Sequence, residues 1–156
     1  MKKQNTRVYS YDCNVYPTKL DIMFDINEID YMNDNYAWTK DPDAKFISDD
    51  ADQYGFTYDL LYNKNTGYKT ILVVFDGIPK PAQMAHEAFH VMNGIFNDVD
   101  LEFNCSKNTG NEHLAYIIEW AVKCMCDAIE KEKKCIEKLV IDFIEQMHYR
   151  EGFYEK

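Results

Sequence analysis

Five consecutive residues, His86-Glu87-Ala88-Phe89-His90, carry the clearest chemistry in the chain. On a helix, two histidines four apart lie on one face with β-carbons about 5–6 Å apart, close enough for both imidazoles to reach one tetrahedral zinc. Glu87, one position on, turns its carboxylate toward a water on the metal rather than toward the metal itself. The metal lowers the pKa of that water to about 7, and the glutamate takes its proton as hydroxide attacks a carbonyl. A chance HExxH in a chain this long is expected roughly once in several hundred sequences. The plain alternative is a helix with a solvent-facing ion pair and a core histidine. Context favours the metal: two of only four histidines occupy these positions, and Ala85, Ala88 and Phe89 are small or apolar, as a packed active-site helix requires.

A catalytic zinc needs a third protein ligand and an open fourth position. Six residues past His90 stands Phe96, and Asn93 occupies the place of the glycine that a metzincin would carry, so that extension is excluded. Downstream, His113 and the carboxylates Asp98, Asp100, Glu102, Glu112 and Glu119 remain as candidates. Glu112 is preferred. It opens the second predicted helix and follows Gly110 and Asn111, a flexible approach and a good cap. The stretch 97–110 leaves room for one turn-and-return connection. Against it, a glutamate in a first helical turn is also an ordinary complement to the helix dipole.

The segment TILVVFDGIPKPAQMAHEAFHVM followed by NEHLAYIIEW resembles small phage- and prophage-type metallopeptidases of the zincin superfamily. In that group HExxH is paired with a downstream Glu-x-x-Ala-Tyr, matched here by Glu112, Ala115 and Tyr116, and the start Val15-Tyr16-Pro17-Thr18-Lys19-Leu20 is similar as well. The resemblance spans most of residues 15–125. It implies a minimal zincin fold holding one Zn2+ per chain on His86, His90 and Glu112, with Glu87 as base and a peptide or protein as substrate. Tyr116 would hydrogen-bond the tetrahedral intermediate; a core aromatic is the plain alternative. His113 reads as a donor near the site or a solvent-facing residue at the helix start, and Glu119 as a carboxylate orienting a ligand histidine or a partner of Lys123. The competing function is a catalytically silent virion or host-interaction protein with a structural metal.

The elements that must position these residues are legible in the pattern. Val8–Tyr11 and Val15–Phe24 read as strands, with Pro17 at the border of the second. Ile26, Ile29 and Met32 suggest a short helix within 25–36. Lys40–Gln53, with five aspartates, reads as a loop; its EF-hand-like run lacks the required glycine and terminal glutamate. Tyr54–Tyr62 and Tyr68–Phe75 form a hairpin around Asn63–Gly67, and the run from Lys69 to Phe75 suits a strand buried on both faces. A helix from Lys80 or Pro81 to about Phe96 buries Met84, Ala85, Ala88, Val91, Met92 and Ile95. A long helical pattern follows from Asn111 to about Tyr149, with two apolar stripes separated by Glu130–Lys134; one helix and two are both compatible. The fold class is α+β, one domain over 1–156, strand-rich to 79 and helical beyond.

Composition sets the outer limits. With 17 basic and 27 acidic residues the net charge is −10, the wrong sign for phosphate backbones and for anionic lipid. Nothing approaches 18 consecutive apolar residues, and no apolar run follows the first lysines as in a signal peptide. Five cysteines at 13, 105, 124, 126 and 135 form no disulfide framework, and Cys124 and Cys126 face different sides of a helix. These features suit a reducing, cytosol-like compartment, in a bacterial host or phage-encoded, with a virion as the alternative.

Overall fold

The computed structural model describes residues 6–47, 55–101 and 112–151. The order is β1 (Tyr9–Asp12), β2 (Lys19–Met23), α1 (Ile29–Asn35), β3 (Tyr36–Trp38), β4 (Gly55–Asn63), β5 (Lys69–Phe75), α2 (Pro81–Asp98) and α3 (Glu112–Glu151). The five strands form one mixed sheet in the order β1-β2-β5-β4-β3, with β2 and β5 parallel and the other pairs antiparallel. This is the α+β class expected. Among the described residues no helix is long and apolar enough to cross a membrane.

The sheet is covered on both faces because its central strands turn apolar residues to both, Ile71–Phe75 along β5 and Leu20, Ile22 and Met23 along β2. Along β5, Ile71, Val73 and Phe75 join Leu20 and Ile22 beneath α2 and α3, while Leu72 and Val74 join Met23 on the opposite face with Met32, Tyr36 and Phe46. Strand alternation makes that division. The one acid in this centre, Asp21, is buried and accepts the Tyr36 hydroxyl at 2.8 Å.

α2 packs on β4 and β5, and α3 packs on α2 and β2. Pro81 suits the first turn of α2, where its missing N–H costs nothing, and the Gln83 side chain accepts the Lys80 N–H at 2.6 Å. The expected stripe of α2 is buried at Ala88, Val91, Met92 and Ile95, whereas Ala85 is exposed.

Three features differ from the sequence reading or complete it. β3 occupies the end of the predicted 25–36 helix, because Tyr36–Trp38 pairs with Leu61–Asn63; a β-ladder with a distant segment leaves no local periodicity to read. α3 is a single helix of 40 residues. Its charged middle is continuous because Glu132 turns inward: buried, it receives Arg7 Nε at 2.9 Å, a second Arg7 nitrogen, and the Tyr9 hydroxyl at 2.8 Å. The second apolar stripe of α3, by contrast, is not covered: Ile136, Leu139, Val140, Phe143 and Ile144 are 43–63% exposed. The described cysteines are free, with Cys124 buried and Cys126 exposed. Part of the 40–53 loop, Glu102 and Cys105 lie outside the described residues.

Candidate metal centre

α2 has three sides, and the HExxH residues divide between two of them. Val91, Met92 and Ile95 face the core, and Glu87 stands at the border of that buried side. His86 and His90 project from the exposed side. Asn97 comes 11 residues after His86 and 7 after His90, and so shares their face within about 20°. Its amide lies 3.5 Å from Asp59 Oδ2 on β4, so the histidine face of α2 adjoins β4.

The two Nε2 atoms stand 3.2 Å apart, with the rings at 73° to each other. Two nitrogens each about 2.05 Å from a tetrahedral zinc stand roughly 3.4 Å apart. The pair fits two positions of one such ion through the atoms usually used. The same spacing is also a hydrogen bond when one Nε2 is protonated and the other is not.

Glu87 is 5% exposed, and its Oε2 accepts the Thr57 hydroxyl at 2.6 Å. Thr57 and Asp59 sit on the face of β4 turned to α2, with Gly94 at the close approach. A β-carbon at Gly94 would come within 2.9 Å of Asp59 Cβ and 3.0 Å of Ile71 Cδ1. Beyond Asp59, Leu60 adopts φ 54° and the β4–β5 register shifts between Tyr58 and Leu61. A bulky residue in the left-handed region is uncommon, and a bulge of this kind turns the strand and re-aims its side chains. On its outer edge β4 pairs with β3 over Leu61–Asn63.

The other predicted site residues gather elsewhere. Glu112 stands in the first turn of α3, exposed and nine residues before the fully buried Ala121, hence about 180° around the helix from it. Tyr116 is 63% exposed and not a core aromatic. With His113, Cys13, Tyr16 and Trp120 it lines a cavity of about 410 Å³ against the β1–β2 turn. His113 bonds the Tyr16 hydroxyl and meets the Phe96 ring edge-on at 6.1 Å. Glu119 pairs with Lys123 at 2.5 Å. Asp98 is held by Lys69 at 2.6 Å and by the Thr18 hydroxyl at 2.7 Å. Among the described residues no group of three His, Cys, Asp or Glu side chains is arranged to hold a metal.

The structure therefore brings together His86 and His90, with Glu87 beside them, and does not bring Glu112 or Tyr116 to them. Sequence reasoning missed Thr57, Asp59 and Asn97. Alternation within β4, which places Thr57 and Asp59 on the face opposite Phe56 and Tyr58, was the available signal for the first two. No protein-family model, curated protein or solved structure matches this chain.

Proposed function

We propose that the chain is a zinc-dependent peptidase of minimal zincin type, with His86 and His90 as metal ligands and Glu87 as the general base. The observation that carries this reading is the 3.2 Å approach of the two Nε2 atoms on the helix that also carries a buried carboxylate accepting the Thr57 hydroxyl. Bound zinc would supply Lewis acidity, polarising a carbonyl and acidifying water. The chain's own part is proton handling and orientation. Thr57 occupies one lone pair of Glu87 Oε2 and fixes the carboxylate plane, which leaves Oε1 to accept a proton from water and pass it to the leaving amine. Glu112 is the third ligand proposed on sequence grounds. It stands in a helical first turn, the part of a helix that reorganises at least cost.

Elemental analysis of protein purified without a histidine tag tests the first half of the reading, with about one zinc per chain expected. Digestion of a peptide library with a chelator control tests the second. Glu87→Gln should keep zinc and lower cleavage by a factor of about 10² or more. Zinc without chelator-sensitive cleavage would favour a structural metal in a virion or host-interaction protein; no affinity for zinc would end both readings.

A further inference from the structure

The uncovered half of α3 is continuous with the half that builds the core. Two lines of residues seven apart show the change. Met125, Glu132 and Leu139 pass from 0% to 6% to 56% exposed; Ile129, Ile136 and Phe143 pass from 8% to 43% to 63%. At 1.5 Å per residue, α3 is roughly 60 Å long. Ile136 and Leu139 line a cavity with Thr6, Met23, Phe24 and Glu28, and beyond them Val140, Phe143 and Ile144 are 46–63% exposed. Residues 136, 139, 140, 143 and 144 form one apolar stripe, with Glu137, Lys138, Asp142 and Glu145 and the exposed Ile141 on the other side. Five large side chains at half exposure leave on the order of 500 Å² of apolar surface, near the top of what a monomer carries. Doubled in a symmetric pair, with the polar flanks added, that area reaches the range of specific interfaces.

We propose that residues 136–146 of α3 form a homodimer interface, on which a second copy of this chain packs antiparallel. Charge along the overhang selects that orientation. Lys133, Lys134 and Lys138 make its first part basic, with Glu137 the one acid among them, and Asp142 and Glu145 make its second part acidic. Antiparallel packing that sets Val140 of one copy against Phe143 of the other places Lys138 level with Glu145. Parallel packing stacks like on like. Val140 and Phe143 take alternate 3- and 4-residue steps from Ile136, the spacing of a two-helix seam.

Sedimentation velocity on the full chain, at concentrations on the order of 10–100 µM, reads the assembly directly. The wild type should sediment as a dimer. Val140→Lys with Phe143→Lys should sediment as a monomer with unchanged far-UV circular dichroism, because both side chains are exposed in the single chain. Orientation is read from charge swaps at low salt. Lys134→Glu with Lys138→Glu should weaken the dimer, and so should Asp142→Lys with Glu145→Lys, although the second pair lowers the net negative charge. All four together restore the net charge and should restore the dimer. A wild type that stays monomeric, its stripe left to another protein or to a terminus of the same chain, overturns the proposal. So does a dimer that the Lys substitutions leave intact, or one that the single swaps do not weaken.

Discussion

The Thr57 hydroxyl, on β4, donates to Glu87 Oε2 on α2 across 2.6 Å, and Glu87 is buried. Thirty residues separate the two in sequence, and the bond ties α2 to β4. Glu87 is thereby oriented before any substrate arrives.

Thr57→Val should cost about 1–3 kcal/mol, since it keeps the shape of the side chain but leaves a buried acceptor without its donor. Thr57→Ser should recover most of that loss. Urea denaturation of the three proteins checks the order.

Gly94→Ala should destabilise by about 1–3 kcal/mol even though alanine is the better helix former by about 1 kcal/mol. The added methyl meets Asp59 Cβ at 2.9 Å, an atom anchored next to the β4 backbone, and so forces α2 away from the strand. A lower melting temperature with an unchanged helical spectrum is the expected result.

Glu112→Gln should weaken zinc by at least tenfold if the first turn of α3 supplies the third ligand, while Glu119→Gln, paired with Lys123 further along the same face, should change affinity little. Competition titration against a chromophoric chelator measures both. Equal affinities for the two variants would remove Glu112 from the ligand set.

Acid should loosen the junction between the N-terminal strand and α3. Hydrogen bonding to Arg7 holds the Glu132 carboxyl below its ordinary range. Its stabilisation is therefore complete above the usual carboxylate pKa of about 4.3 and is lost as pH falls through the depressed value. Glu132→Gln should cost about 1–3 kcal/mol at neutral pH, the partial exposure of Arg7 keeping it below the cost of breaking a fully buried pair. The difference between variant and wild type should shrink on acidification, as stability measured from pH 7 down to pH 3 will show.

Local pattern alone determined the α+β order, the hairpin around Asn63–Gly67, the doubly buried β5 and the helix that carries His86, Glu87 and His90. Each depends on residues a few positions apart, where period and turn chemistry act directly. It also separated Cys124 from Cys126 correctly, since two steps along a helix turn a side chain by about 200°. Tertiary structure decided what depends on distant segments meeting. Thr57 under Glu87, Asp59 against Gly94 and Tyr36–Trp38 as a third strand are contacts across 23 to 35 residues, and no local periodicity encodes them. The charged run at 130–134 stays within one helix, and there Arg7, just before β1, and Tyr9, on β1, donate to Glu132. For the same reason, two apolar stripes of α3 that look alike in sequence have opposite fates. The sheet and α2 bury the first, while the second stays half exposed, only its start, Ile136 and Leu139, bordering the end of β2.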